Sequence, residues 1–256
     1  MSESSQMATT TAVTSTTWKV TFHISRQKGS EPRRFDSFVL DVRPDEYVLD
    51  AVERVWAFHD RTLCFAHACH HSTCGACGMR VNDAEKLTCI TPINSVTHDG
   101  GVVKIEPLRN FPVVSDLAVD MGALYRKMDL AGHHSVVSEL VEPAEDDWSK
   151  QERESHKEFI RLSDCIECGL CISVCPAAAT NVNYIGPASL AGAYQHGLDH
   201  DIALLQLVDS DTGLWRCHSA FECSAVCPSN VNPAAKIMEL RRQVFGMRFK
   251  SWFGGK

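Results

Sequence analysis

Twelve cysteines dominate the chemistry available to this chain of 256 residues, and they fall into three groups. Five lie within residues 64–89, four within 165–175 and three within 217–227. Disulfide bonds would need an oxidising compartment, and the N-terminal residues have neither the basic nor the apolar region of a secretory signal. Because clustered cysteines in a reducing compartment usually bind metal, the sequence predicts metal centres rather than disulfides.

The first group has the spacing C-x4-C-x2-C, followed by eleven residues and a fourth cysteine, in CHHSTCGACGMRVNDAEKLTC at 69–89. Plant-type ferredoxins hold a [2Fe–2S] cluster with this spacing, whereas zinc sites usually pair two C-x2-C elements. The predicted ligands of a [2Fe–2S] cluster are therefore Cys69, Cys74, Cys77 and Cys89. Cys64 lies outside the pattern, and we expect it to be a small buried residue.

Three histidines, His67, His70 and His71, lie next to these cysteines. A Rieske centre would use two histidines and two cysteines, but four cysteines already suffice for this cluster. We expect the histidines to line the loop or to contact a partner.

The second and third groups form a weak internal repeat. Residues 165–176 read CIECGLCISVCP, the bacterial ferredoxin run, whose fourth cysteine serves the other cluster in two-cluster proteins. Residues 217–228 read CHSAFECSAVCP, with Ala220 where a second cysteine would stand. Cross-pairing predicts a [4Fe–4S] cluster on Cys165, Cys168, Cys171 and Cys227. It leaves three ligands for a [3Fe–4S] cluster, namely Cys175, Cys217 and Cys223. The alternatives are a second [4Fe–4S] cluster with a non-cysteine ligand and a double zinc site.

Charge and hydropathy limit the partners. The formal net charge is −7 and the isoelectric point is about 5.9, so we expect no nucleic-acid binding. The sequence has no apolar run of the ~18–20 residues that a membrane-spanning helix needs. Any membrane contact is therefore expected to be peripheral or through another subunit.

Hydrophobic periodicity predicts the elements that position the first cysteine group. Alternation over 18–24 and again over 38–42 indicates a β-hairpin, and a helical period follows over 45–59. Short strands are predicted at 78–81 and 102–106. Together these elements indicate a small α+β domain.

The second half of the sequence is predicted to be mostly helical, with a helix over 115–130 and a charged helix or connector over 142–158. The predicted organisation is a disordered tail at 1–17, a [2Fe–2S] domain at 18–115 and a helical domain with the other two clusters at 116–256.

The order of the three sites resembles the iron–sulfur subunit of succinate dehydrogenase and fumarate reductase, over roughly residues 18–246. Three further segments agree with that family: PLRNFPVVSDLAVD at 107–120, YIGPASLAGAY at 184–194 and LWRCHSAFECSAVCPSNVNP at 214–233. The resemblance implies an α+β fold, with an N-terminal β-grasp plant-type ferredoxin domain and a C-terminal all-α bacterial-type ferredoxin domain.

The resemblance also implies a function. In that family a flavoprotein subunit with covalent FAD oxidises succinate, and electrons pass through the three clusters to a membrane quinone. Transmembrane anchor subunits would hold the chain peripherally at the cytoplasmic face of a prokaryotic membrane. Pro176 and His218 match family positions near the quinone. Ala179 and Thr180 replace an aromatic residue that many ubiquinone-dependent members have, which favours a quinone of the menaquinone type.

Three other functions remain open at this stage. The chain could serve a quinol:fumarate reductase working in the reverse direction, or another flavin dehydrogenase. A free ferredoxin shuttle is a third possibility, but such shuttles are usually much smaller. Ala220 and the N-terminal domain argue against the other flavin dehydrogenase, and the length of 256 residues and the basic C-terminal segment argue against the shuttle.

Overall fold

The computed structural model describes residues 17–132, 164–198 and 201–253. A five-stranded mixed sheet in the order β2-β1-β5-β3-β4 dominates the first part. Its strands are β1 (Trp18–Arg26), β2 (Arg34–Val42), β3 (Gly78–Val81), β4 (Ala84–Leu87) and β5 (Val102–Glu106). β1 is antiparallel to β2 and parallel to β5, and helix α1 (Val48–Arg54) packs on the sheet. This is the expected β-grasp arrangement.

The core of this domain follows the predicted alternation. Val20, Phe22 and Ile24 of β1 are fully buried, and Val48 and Val52 of α1 pack against them. Each such side chain contributes about 1.5–3 kcal/mol on burial. The predicted hairpin and both predicted short strands are confirmed.

The helix predicted over 45–59 is shorter than expected. It begins at Val48, where the carboxylate of Asp50 accepts a hydrogen bond from the N–H of Tyr47, and it ends at Arg54. A wider helical turn follows over Val55–His59. Beyond it the guanidinium of Arg61 lies 4.2 Å from the centre of the Trp56 ring, which is 39% exposed.

The prediction of a helix over 115–130 is wrong in its first half. A small hairpin of β6 (Val113–Ser115) and β7 (Ala118–Val119) precedes α2 (Gly122–Leu130). Asp116 has a φ of 49° at this turn, and its carboxylate accepts hydrogen bonds from the N–H groups of Gln27 and Cys64. These long-range bonds favour a turn over a helix. The hairpin spans the predicted boundary at 115/116, and Leu117 packs in the N-terminal core.

Short helices and one long helix form the rest of the described chain, which has no strand after β7. They are α3 (Leu170–Ser173), α4 (Pro176–Thr180), α5 (Pro187–His196), α6 (Ile202–Val208), α7 (Glu222–Ala225) and α8 (Pro233–Phe253). Leu190 of α5 and Ile237 of α8 are fully buried in their shared core. The predicted helical character is confirmed for these residues.

A buried polar junction joins the two domains. The carboxylate of Glu85 accepts hydrogen bonds from the guanidinium of Arg109 and from the hydroxyl of Ser173. The side-chain amide of Asn110 donates to backbone carbonyls of the second cysteine group, including Ser173 O at 3.0 Å. Leu170 packs beside these groups in the same cluster as Leu49 of α1. The junction therefore fixes the first cysteine group relative to the second.

Two predicted segments lie outside the described residues. They are the tail at 1–17, apart from Thr17, and the charged segment at 142–158. Within the residues that the structure describes, no helix has the length and apolar character needed to cross a membrane.

Candidate metal centres

The loop of the first cysteine group directs backbone N–H groups at sulfur. Sγ of Cys69 accepts three such hydrogen bonds, at 3.3–3.4 Å, from His71, Thr73 and Cys74. These donors stabilise a thiolate and lower the pKa of Cys69 to about 6. His70 lies in the left-handed region, with φ 59°, in the turn that folds this loop around the sulfur.

Of the other cysteines of this group, Cys74 is exposed and two lie deeper. Cys77 and Cys89 are buried, and Sγ of Cys89 accepts a hydrogen bond from the N–H of Ser72 at 3.4 Å. Burial, and then the neighbouring Cys77, raise the pKa of Cys89 to about 12. Four thiols, two of which accept N–H hydrogen bonds at sulfur, fit a [2Fe–2S] cluster, because such donors stabilise the negative charge of cluster sulfur.

Cys64 lies apart from this group. It is half-buried, so the expectation of a buried residue is wrong. Its N–H donates to the carboxylate of Asp116 and its carbonyl accepts from the N–H of Leu117, so its backbone is tied to the turn between β6 and β7 rather than packed in the core. We therefore expect Cys64→Ser to retain all three clusters, with unchanged iron content and an unchanged [2Fe–2S] electron paramagnetic resonance signal. The matched variant Cys69→Ser is expected to lose that signal. Loss of the signal in Cys64→Ser and its retention in Cys69→Ser would show that Cys64, and not Cys69, is the first ligand.

Three cysteines of the second group line one apolar cleft of about 500 Å³ together with Cys227 from the third, namely Cys165, Cys168 and Cys171. Burial raises the pKa of Cys165 to about 11 and that of Cys168 to about 12. The pKa of Cys171 also rises, through burial and then through Cys168 and Cys165. Negative charge on any one of these thiols disfavours it on the others. Cationic iron between them removes this repulsion, so the residues fit a cubane cluster.

A second cleft of about 370 Å³ is lined by Cys175, Cys217 and Cys223, with Ala220 beside them. Burial, and then the neighbouring Cys175 and Cys217, raise the pKa of Cys223 to about 12. The described cysteines thus form sets of four, four and three. The structure brings together the cysteines that the spacing groups, and their role as ligands stays a prediction.

The two bacterial-type runs have the same backbone shape around the residue in which they differ. Cys168 lies between Glu167 and Gly169, which have φ angles of 56° and 75°. Ala220 lies between Ser219 and Phe221, with φ angles of 56° and 62°. A short helix follows each turn, α3 in one run and α7 in the other. Position 220 therefore keeps the backbone of a cluster loop without its thiol, which fits a three-ligand site.

Two residues at the third cleft were missed by the sequence analysis. Tyr184 is 1% exposed, and its hydroxyl lies within hydrogen-bonding reach of Cys217 and close to Cys175. It is therefore available to donate to cluster sulfur. The guanidinium of Arg241 donates to the carbonyl of Cys217 and to Ser219 Oγ, which ties the cysteine loop to α8. Tyr184 begins a segment already quoted for the family resemblance, but nothing in the sequence signals the role of Arg241.

Pro176 and His218 line the same cleft as the third cysteine group, and both are exposed. The exposed ring of Phe221 lines it too. The two residues predicted to lie near a quinone are thus together at the surface of the third site.

Gly75 brings the first group against the second. Its φ is +71°, and a Cβ at this position would lie 2.4 Å from the carbonyl oxygen of Ile166 and 3.0 Å from Cα of Cys168. Only a residue without a side chain permits this approach. The two cysteine groups are therefore separated by little more than backbone.

Two family models match the chain in the same order as the cysteine groups. A 2Fe-2S iron-sulfur cluster binding domain matches residues 21–126, and a 4Fe-4S dicluster domain matches residues 161–231. The chain is therefore an iron–sulfur protein with the two expected kinds of domain.

Relatives identify the family. The fumarate reductase iron-sulfur subunit of Mycobacterium tuberculosis is 33% identical, over 81% of this chain and 84% of its own length. The succinate dehydrogenase iron-sulfur subunit of Paracoccus denitrificans is also 33% identical, over 84% of this chain and 83% of its own. The chain belongs to the family of fumarate reductase and succinate dehydrogenase iron–sulfur subunits. Its fold is similar to a chain of the Mycobacterium smegmatis Sdh1 complex, with TM-score 0.75, 24% identity and coverage of 91% of this chain and 98% of that one.

Proposed function

We propose that this chain is the electron-transfer subunit of a succinate:quinone oxidoreductase that uses a quinone of the menaquinone type. The observation that carries the proposal is the linear order of three cysteine sets, from a domain at one end to an exposed cleft at the other. Gly75 brings the first set against the second, and Ala220 leaves the third with three thiols.

The proposed ligands are Cys69, Cys74, Cys77 and Cys89 for [2Fe–2S], Cys165, Cys168, Cys171 and Cys227 for [4Fe–4S], and Cys175, Cys217 and Cys223 for [3Fe–4S]. When bound, these clusters would supply one-electron carriers between a two-electron flavin and a quinone that is reduced in two steps. The protein holds them in apolar clefts, directs N–H groups at the first and places the hydroxyl of Tyr184 beside the third. Such burial and hydrogen bonding set the reduction potentials.

The third cleft supports a quinone site. The exposed imidazole of His218 can donate a hydrogen bond to a quinone carbonyl, and imidazole exchanges protons readily near neutral pH. Pro176, at the start of α4, forms a rigid wall of the same cleft. Ala179 and Thr180, at the other end of α4, carry no aromatic ring of the kind that many ubiquinone-dependent members have, which supports a quinone of the menaquinone type.

The proposal requires two kinds of partner. An FAD-containing flavoprotein subunit would reduce the first site. Transmembrane anchor subunits would cover the cleft that contains His218 and Phe221, whose side chain is 49% exposed. In this arrangement the subunit is peripheral on the cytoplasmic face of a prokaryotic membrane.

A histidine variant tests the quinone site. In the purified complex, His218→Ala is expected to slow succinate–menaquinone reductase activity by about 100-fold, the low end for loss of a positioned proton donor. Reduction of a soluble dye, which bypasses the quinone site, is expected to stay at the wild-type rate. The control is His71→Ala, an exposed histidine of the first loop. Unchanged quinone reduction in His218→Ala would contradict the role of this residue.

A quinol:fumarate reductase is the second candidate, because relatives of both names match this chain at 33% identity. Comparing steady-state rates of succinate oxidation by menaquinone and of fumarate reduction by menaquinol in the same complex separates the two. A complex that oxidises neither succinate nor menaquinol would instead indicate the electron-transfer subunit of another flavin dehydrogenase.

A further inference from the structure

Glu53, His67 and His70 form a side-chain cluster that none of the three cysteine groups uses. Nδ1 of His67 and Nε2 of His70 each lie 3.0 Å from Oε1 of Glu53. The two nitrogens are 3.3 Å apart. Glu53 belongs to α1, whereas both histidines belong to the loop that leads into the first cysteine group. The three atoms form a nearly equilateral triangle that joins two elements of the fold.

This triangle has the size of one face of a metal tetrahedron. Tetrahedral zinc sites have bonds of about 2.0–2.1 Å to nitrogen and oxygen, which place neighbouring ligand atoms about 3.3–3.4 Å apart. The observed separations of 3.0, 3.0 and 3.3 Å are close to that spacing. Two imidazoles and one glutamate are also a common set of protein ligands at zinc sites with an open position.

Hydrogen bonds do not satisfy every polar atom of this cluster. Oε1 of Glu53 is shielded from solvent and accepts no hydrogen bond of good geometry from any described residue, although two ring nitrogens lie nearby. A hydrogen bond between the two nitrogens takes one proton and one lone pair, and it leaves the carboxylate oxygen without a donor. A cation at the centre of the triangle would use a lone pair of all three atoms at once.

The rings are held in place by their surroundings. The ring of His67 stacks on Phe65, with centroids 5.0 Å apart and planes 20° apart, and the ring of His70 meets His67 edge-on. The backbone of His70 has a φ of 59°, a left-handed conformation that is strained for most residues other than glycine. This left-handed turn belongs to the loop that places the ring of His70 beside Glu53.

We propose that Glu53, His67 and His70 bind one divalent transition-metal ion, of which Zn²⁺ is the representative. The ion would tie α1 to the loop of the first cysteine group. Nitrogen-rich ligand sets favour Zn²⁺, Ni²⁺ and Cu²⁺ over Mg²⁺ and Ca²⁺, which prefer oxygen ligands. We therefore expect transition metals to compete for this site, and Mg²⁺ to leave it unoccupied.

Equilibrium dialysis of the cluster-loaded complex against Zn²⁺, with zinc and iron measured by mass spectrometry, tests the site. The wild type is expected to take up one further zinc per chain without losing iron, and excess Mg²⁺ is expected not to displace it. The double variant His67→Gln/His70→Gln is expected to bind this zinc more than about 10-fold more weakly, because even outer partners of a metal site contribute about 10–100-fold to affinity. His71→Gln, in the same loop but outside the triangle, is the matched control and is expected to bind as the wild type does.

Glu53→Gln provides an independent test, because it changes α1 and leaves the cysteine loop intact. It is expected to weaken zinc binding more than about 10-fold, at wild-type iron content. If the double variant loses iron, the Glu53→Gln result alone decides. Zinc uptake that is absent in the wild type, or unchanged in Glu53→Gln, would overturn the proposal.

Discussion

Ala220→Cys is expected to convert the third site from a three-iron to a four-iron cluster. The turns around Cys168 and Ala220 have the same pattern of left-handed residues, so a thiol at 220 would be presented as that of Cys168 is. Reduction potentials of iron–sulfur clusters depend on cluster type and net charge over a wide range. A decrease of about 120 mV would lower the equilibrium constant for reduction of the site about 100-fold, since about 59 mV corresponds to a factor of ten for one electron. Quinone reduction is expected to fall by a similar factor.

Electron paramagnetic resonance of the oxidised complex measures this conversion directly. The [3Fe–4S] signal of the wild type should disappear in Ala220→Cys, with an increase in iron content. Ala225→Cys adds an exposed thiol at the end of α7 and is expected to leave the signal intact. A wild-type complex without a [3Fe–4S] signal would refute the proposed ligand set of the third site.

Gly75→Ala is expected to separate the first site from the second. The added Cβ would lie 2.4 Å from a backbone carbonyl oxygen that cannot move without shifting the cysteine loop at 165–168. A left-handed alanine costs about 1–2 kcal/mol, and overpacking a tight contact costs about 1–3 kcal/mol more. For a protein of this size, such a loss corresponds to a decrease of about 5–15 °C in the thermal midpoint. Cluster absorbance followed on heating provides the measurement.

Gly100→Ala separates the cost of the left-handed backbone from the cost of the steric collision. Gly100 has a φ of +73°, nearly that of Gly75, but no atom lies within 4 Å of a Cβ at this position. Its substitution therefore carries the backbone strain without the collision. We expect Gly100→Ala to lower the midpoint less than Gly75→Ala and to leave reduction of the second site at its wild-type rate. Equal effects of the two variants would show that the close approach at Gly75 contributes nothing.

The sequence predicted the features that depend on local pattern. Alternation gave the strand containing Val20 and Phe22, because one face of that strand is buried. Cysteine spacing grouped Cys165 with the distant Cys227, because the bacterial-type run shares its fourth cysteine with the other site. In both cases one physical constraint determines the pattern: burial of one face of a strand, or the spacing of ligands around a cluster. Each constraint can be recognised from a short segment of sequence.

Features that depend on distant contacts could not be predicted. Asp116 looks like part of a helix until its bonds to Gln27 and Cys64 are seen. The missing side chain at Gly75 matters only because the backbone of Ile166 approaches this residue closely. Arg241 contacts the loop at Cys217, which is 24 residues away in the sequence. Glu53 and His67 likewise meet only once α1 packs beside the cysteine loop.

The crossed arrangement of Cys175 and Cys227 has a consequence for how the subunit is built. Each motif contributes its last thiol to the cleft of the other motif, so neither set is complete until both segments of chain are in place. Metal binding stabilises only the folded arrangement of its ligands. A cluster bound at either site therefore fixes the position of both motifs, including the cysteine that the other site needs. The two sites of the helical domain are expected to bind their clusters cooperatively. A nascent chain that ends before residue 217 could complete neither site, so iron insertion into both sites is expected to follow synthesis of the third cysteine group.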